Sequence, residues 1–141
     1  MVRVLLMRKW KLKLKEYGIS SARYDELSAF CKQYPEWKEF VLNEIGQPQS
    51  PIISDMPKSP NSNPDKILNL VAKRMDYQKK IDLIESTARE TDEEFMDYLI
   101  DNICFGTNIT YLQMRKNMPL SQNSFYNKRR YFFYLLDQKK S

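Results

Sequence analysis

The sequence predicts an all-α protein, and three observations support this fold class. Only three of the 141 residues are glycine, while the helix-favouring residues Lys, Glu, Leu and Met are frequent. Apolar residues recur at spacings of three and four, and no clear alternating run follows the first few positions. The length suffices for one domain with a hydrophobic core, and the 42% hydrophobic and 29% charged residues indicate a globular chain, not a disordered one.

Residues 1–19 are predicted to form a basic N-terminal arm. The apolar run 4–7 is too short for the core of a signal peptide, and the bases follow it instead of preceding it. No stretch of the sequence approaches the length of a membrane span, so no membrane partner is expected. The arm either lies on DNA or is a solvated terminus; its basic residues are Arg8, Lys9, Lys11, Lys13 and Lys15.

A helical hairpin is predicted over residues 20–46. Ser20 or Ser21 can cap the first helix, and Pro35 is compatible with the first turn of a second helix that ends near Gly46. Apolar residues at helical spacing predict the buried side of both helices. They are Tyr24, Leu27, Phe30, Cys31, Tyr34, Trp37, Phe40, Val41 and Ile45.

Residues 47–63 are predicted to be a proline-rich linker. Five of the seven prolines lie at positions 48 to 64, among Gln, Ser and Asn. This composition prevents helix continuation and favours an extended, semi-rigid tether. The linker should therefore let the hairpin move relative to the rest of the chain, and a packed loop is the alternative.

A C-terminal four-helix unit is predicted over residues 64–141. Asn63 and Pro64 are suited to begin a long helix that ends near Glu90, and Thr91 with Glu94 has capping-box spacing for a second helix that stops at Gly106. The apolar stripe of the long helix is Ile67, Leu70, Val71, Tyr77, Ile81, Ile84 and Ala88. The core of the unit is predicted to contain Leu83, Ile84, Tyr98, Leu99, Leu112, Leu120, Phe125, Phe132 and Leu136.

The last two helices of this unit are predicted to form a helix-turn-helix. Thr110 and Gln113 have capping-box spacing for a short helix that Pro119 ends, and Ser121 can cap a longer one. A short helix, a tight turn and a longer helix with a polar outer face are typical of major-groove recognition. The inner face of the longer helix is predicted to be Phe125, Phe132, Phe133 and Leu136.

The outer face of the longer helix carries the candidate DNA-binding residues. Asn and Gln can pair bidentately with adenine and Arg with guanine, while Lys, Arg and hydroxyl groups reach phosphates. An amphipathic helix with a solvated basic face is the alternative. Base contacts are predicted for Asn123, Tyr126, Asn127 and Arg130, and phosphate contacts for Ser121, Ser124, Lys128 and Arg129, with Gln122 on the same face.

Charge is divided between two adjacent segments. Residues 76–106 contain nine acids and three bases, whereas residues 107–141 contain seven bases and one acid. A concentrated positive charge favours a polyanionic partner such as double-stranded DNA. The acidic segment is expected either to face a basic protein surface or to be a solvated helix face that stabilises a helix N-terminus.

Catalysis and metal binding are not expected. The chain has no histidine, and its two cysteines, Cys31 and Cys104, lie among apolar neighbours with no Cys-x-x-Cys spacing. This composition excludes the usual zinc-ligand sets and the Ser-His and Cys-His nucleophiles. No phosphate-binding glycine-rich loop accompanies the acidic residues. The prediction is a protein that is not an enzyme and needs no cofactor.

Three segments carry a resemblance to a known family: YDELSAFCKQYPEWK (24–38), KKIDLIESTARETDEEFMDYLIDNICFG (79–106) and SFYNKRRYFFYLLDQ (124–138). Together they resemble the RinA and ArpU type of late-gene transcriptional activator that phages and prophages of Gram-positive bacteria encode. The last segment also resembles region 4 of sigma-70 factors, although the chain has no recognisable region 2. The resemblance implies promoter DNA binding by residues 121–130 and contact with host RNA polymerase, in the bacterial cytoplasm.

Two other functions remain open. The chain could be a small terminase-like packaging subunit that oligomerises through the long central helix, and a stable ring with weak sequence preference would indicate this. It could also be an interaction adaptor that binds no nucleic acid. The sequence leaves the oligomeric state undecided, with a homodimer as one alternative.

Overall fold

The computed structural model describes residues 14–46 and 64–141 and confirms the all-α prediction. No strand occurs among these residues. The prolines of the predicted linker, the Asn63 cap and the bases at positions 8, 9, 11 and 13 lie outside the described ranges. The helices whose bounds lie within these ranges are α1 (Ser21–Lys32), α2 (Tyr34–Gly46), α3 (Pro64–Thr91), α4 (Met96–Phe105), α5 (Ile109–Arg115) and α6 (Gln122–Lys140).

The predicted hairpin is present as α1 and α2. The Ser20 side chain accepts a hydrogen bond from the backbone N–H of Arg23 at 3.1 Å, which caps α1. Gln33 separates the two helices, and Pro35 occupies the first turn of α2, where its missing N–H removes no helical bond. Buried apolar residues on this hairpin are Leu27, Cys31, Tyr34, Trp37 and Val41.

The hairpin and the C-terminal helices share one hydrophobic core. The Tyr24 ring meets the Phe133 ring edge to face at 5.0 Å, and Arg23 forms an ion pair of 2.7 Å with Asp137. On α2, the Tyr34 hydroxyl donates to a Glu85 carboxylate oxygen of α3 at 2.8 Å. These contacts do not support the expectation that the hairpin moves freely on a tether.

The end of the predicted N-terminal arm also belongs to the fold. Leu14 and Ile19 are almost completely buried, and the Tyr17 ring lies 5.5 Å from the Tyr134 ring of α6. Gly18 takes a left-handed φ of +78°, which lets the N–H of Ile19 reach the carbonyl of Leu14 at 3.1 Å. The expectation of a free arm is therefore wrong for residues 14–19.

Helix α3 begins at Pro64 as predicted, but only its C-terminal half is buried. Ile81, Ile84 and Ala88 lie in the core, whereas Ile67 and Val71 of the predicted stripe are exposed, as is Leu70. The prediction treated the apolar residues as one stripe. In the structure the buried residues of α3 all lie in its later turns, whereas the side chains of residues 64–73 are exposed.

The turn between α3 and α4 differs from the prediction. The Thr91 hydroxyl donates to the Thr87 carbonyl at 2.8 Å, so it extends α3 instead of capping α4. Asp92 Oδ1 accepts from the N–H of Glu94 at 3.0 Å within the turn, and no side chain that the structure describes caps α4, which begins at Met96. Helix α4 ends at Gly106, with a left-handed φ of +71° that favours glycine, as predicted.

Candidate nucleic-acid interface

The N-cap of α5 lies two residues before the predicted one. The Asn108 side chain accepts from the N–H of Thr110 at 2.7 Å and caps the helix. The predicted capping box is therefore absent: Thr110 lies in the first turn, and the Gln113 amide instead donates to the Leu120 carbonyl at 2.7 Å. This bond ties α5 to the chain just before α6.

A tight turn joins α5 to α6. Asn117 adopts a left-handed φ of +56°, a conformation that Asn tolerates better than most residues. The N–H of Met118 donates to the Leu112 carbonyl at 3.0 Å, and the Met118 and Leu112 side chains are both buried. Hydrogen bonding and apolar packing thus hold the turn between the two helices.

Helix α6 has the predicted N-cap and the predicted inner face. The Ser121 hydroxyl oxygen accepts from the N–H of Ser124 at 3.2 Å, which satisfies one free N–H of the first turn. Four large side chains on one face then anchor the helix in the core, each no more than 1% exposed. They are Phe125, Phe132, Phe133 and Leu136.

The exposed face of α6 differs in composition from the predicted one. Asn123 and Asn127 are exposed as expected, and Tyr131, 42% exposed, follows four residues later on the same face. We call Asn123, Asn127 and Tyr131 the outer row. Tyr126 is half-buried and lies beside this row. Tyr131 could have been assigned to the exposed face from the sequence, because it lies four residues after Asn127. The other exposed residues near the start of α6 are Ser121, Gln122 and Ser124.

Arg130 is not on the exposed face, so its predicted place among the base-contacting residues is wrong. It is 5% exposed, and burial lowers the pKa of its guanidinium. Its guanidinium donates to Oδ1 of Asn127, and Tyr17 and Glu16 act on it electrostatically. The helical spacing alone gave no sign that Tyr17 lies beside α6, where its ring contacts Tyr134.

Lys128 and Arg129 are engaged within the chain and are not free to contact phosphates as predicted. Lys128 forms an ion pair of 2.5 Å with Asp92, and this bond lowers the pKa of the Asp92 carboxyl. Arg129 donates to the Tyr24 hydroxyl at 3.2 Å and lies over the Phe133 ring. Both side chains are half-buried, and they join α6 to its neighbours.

The acidic and basic segments come together in the fold. In addition to Lys128 with Asp92, Lys139 pairs with Glu90 at 2.8 Å, and Lys116 approaches Asp101 at 3.8 Å. These pairs offset part of the positive charge that the sequence concentrates after residue 106. Arg115 and Lys116, at the end of α5, are exposed and keep basic groups close to the turn.

Two features bear on other classes of site. In residues 14–46 and 64–141, no helix combines the length and the apolar composition that crossing a membrane requires. Over the same ranges, no group of three or more His, Cys, Asp or Glu side chains could hold a metal ion.

Comparison with known proteins gave no identification. No model of a protein family matches the chain, and neither a curated protein nor a solved structure matches it. The resemblance to phage late-gene activators therefore stays a prediction that the three sequence segments carry.

Proposed function

We propose that the protein is a sequence-specific DNA-binding transcriptional activator that contacts the major groove with the first turns of α6. One observation carries this proposal: a serine-capped helix, fixed in the core by four apolar side chains, exposes amide groups on its first turns. The exposed amides are Gln122, Asn123 and Asn127. Recognition helices place such groups at base edges, with the helix N-terminus toward the groove.

The roles of the side chains differ from those the sequence predicts. Asn123 and Asn127 are the base-contacting groups of the outer row, and Gln122 lies next to them at the N-terminus. Arg130 acts through Asn127, because its guanidinium holds the Asn127 amide oxygen. Buried donors that fix a polar side chain in this way reduce the entropy lost when that side chain binds.

Polar and basic groups on both sides of the turn between α5 and α6 would contact the phosphates. Ser121 and Ser124 lie at the N-terminus of α6, where free N–H groups and the helix dipole favour an anion. Arg115 and Lys116 supply positive charge from the end of α5. Contacts of this kind fix the position of a protein on the duplex and carry no sequence information themselves.

The regulatory part of the proposal rests on the resemblance to phage and prophage activators. This resemblance supports late or packaging genes as the targets and host RNA polymerase as a second partner, in the bacterial cytoplasm. The test is selection of duplexes from a random library by the purified protein. Enrichment of one sequence motif supports the proposal, whereas recovery of DNA without a shared motif contradicts sequence-specific recognition.

A DNA-packaging subunit is the second candidate, and one observation favours it. The first turns of α3 expose large apolar residues, as an oligomerisation surface would. Such a subunit would form a stable ring and bind DNA with weak sequence preference. Measuring the native mass together with the selected motif separates the two functions.

A further inference from the structure

The first turns of α3 carry an apolar surface that the described fold leaves uncovered. Ile67, Val71 and Met75 follow one another at intervals of four, and Leu68 lies one turn before Val71, so the four share a side of the helix. Ile67 and Met75 are each 58% exposed, Leu68 is 64% exposed and Val71 is 39% exposed. We call these four residues the α3 stripe.

The α3 stripe is separate from the face by which α3 enters the core. At 3.6 residues per turn, it is rotated by about 120° from the core face of Ile81, Ile84 and Ala88. Covering it therefore requires a surface other than the helices that already bury the later turns of α3. A surface helix normally has a single apolar stripe, so a second one indicates an additional partner.

The area of this surface is most of what a homodimer requires. The α3 stripe exposes on the order of 400 Å² of apolar surface, within the range of the largest patches on monomeric proteins. Leu70 points toward the core face of α3, so its exposed area is not part of this surface. A standard interface buries about 800 Å² on each partner, and about 65% of a homodimer interface is apolar, which requires about 520 Å² of apolar area.

The charge pattern permits two identical copies to face each other. Positions 67, 68, 71, 72 and 75 are all uncharged, so the contacting side brings no like charges together. In an antiparallel pair, Val71 would meet the same residue of the other copy, with Ile67 opposite Met75 on both sides. The smaller Val71 at the centre lets the two helices approach, and the longer side chains close the ends.

We infer that a second copy of this chain docks on the α3 stripe, forming a two-fold homodimer through antiparallel α3 helices. This surface lies on a different helix from the outer row of α6, and the inference stands whether or not the protein binds DNA. If the protein does bind DNA, the dimer would present two recognition helices to a two-fold-symmetric site.

Sedimentation equilibrium of the full chain without DNA tests this inference. The wild type should reach twice the 16.9 kDa chain mass as its concentration rises. Val71→Glu should weaken self-association by on the order of 100-fold, because two carboxylates would face each other on the two-fold axis. Met75→Glu should also weaken it, and circular dichroism should show an unchanged helix content because both positions are exposed in one copy.

Phe105→Glu is the matched control, since Phe105 is 55% exposed at the end of α4, outside the α3 stripe. It should dimerise like the wild type. A wild type that stays monomeric at every concentration would overturn the inference, as would dimerisation that survives both α3 substitutions. Raising the salt concentration should preserve an apolar interface; dissociation by salt would indicate ion pairs and reject the α3 stripe as the contact.

Discussion

Lys128 on α6 and Asp92 in the turn before α4 form an ion pair of 2.5 Å, which connects the basic C-terminal segment to the acidic segment before it. The Lys128 ammonium also lies 5.3 Å from the centre of the Phe95 ring. The ion pair holds the Lys128 ammonium against the turn before α4. If α6 binds DNA as proposed, this pair keeps a positive charge from the phosphates and limits non-specific attraction.

Asp92→Asn should strengthen DNA binding. Removing the carboxylate releases Lys128 for one phosphate contact, so affinity should rise several-fold and the salt dependence should steepen by about one unit. The loss of folding stability should stay below about 1 kcal/mol, because the pair is partly solvated. Titrations at several salt concentrations measure both effects.

Asp82→Asn is the control for this change. It removes the same charge from an exposed position on α3, where the carboxylate accepts a hydrogen bond from Gln78 at 2.9 Å. Its salt slope should equal that of the wild type. Equal slopes for both variants and the wild type would show that Lys128 does not become available to DNA.

Arg130→Ala should lower folding stability as well as DNA binding. The substitution removes a buried side chain and leaves Oδ1 of Asn127 without its guanidinium donor, so the expected cost is about 1 to 3 kcal/mol. Asn123→Ala, at an exposed position of the outer row, should leave the unfolding midpoint almost unchanged. Denaturant unfolding measures the stability of both variants. Equal stability of Arg130→Ala and the wild type would contradict a contribution of the buried Arg130 side chain to folding.

Phe132→Ala should cost about 3 to 5 kcal/mol and leave the domain largely unfolded. Phe132 is 1% exposed and meets Phe133 edge to face at 5.3 Å, so the substitution creates a large cavity in a small core. Tyr131→Ala, one residue earlier on the outer row, should cost only about 1 kcal/mol, because its ring is 42% exposed and loses mainly its stacking on Tyr134. Thermal unfolding of the two variants would reject this assignment of faces if their midpoints were equal.

Limited proteolysis tests whether the hairpin shares the core. The proline-rich residues 47–63 should be cleaved first. The two fragments should then remain associated on size-exclusion chromatography without denaturant, since Leu27 and Trp37 are buried in the same cluster as Leu99 and Phe133. Separation of a folded C-terminal fragment from the hairpin would instead support two independent units.

The sequence predicted those features of the site that depend on local chemistry. The Ser121 cap could be predicted because a serine hydroxyl can accept from the backbone N–H three residues later at the start of a helix. The buried phenylalanines could be predicted because they recur at helical spacing. The α6 contacts that differ from the prediction are with distant residues. Asp92 lies thirty-six positions before its partner Lys128, and Tyr17 and Glu16, which act electrostatically on Arg130, lie more than a hundred positions before it.

Helix α3 shows the same limit on a larger scale. Its apolar periodicity predicted the helix and its buried C-terminal half, but periodicity cannot tell how far the neighbouring helices extend along it. Ile67 and Ile81 have the same chemistry, and only the packing of the other helices buries the second and not the first. Likewise, Thr91 has the spacing of a cap but prefers a carbonyl of its own helix.

The most direct test of the proposed function is a titration of wild type, Asn127→Ala and Lys116→Ala on the selected DNA and on a scrambled duplex, at several salt concentrations. Asn127→Ala should lose about 1 to 3 kcal/mol on the selected DNA and little on the scrambled one. Lys116→Ala should weaken both alike and reduce the salt slope by up to one unit. Equal weakening of both duplexes by Asn127→Ala, or no effect on either, would contradict base recognition by α6.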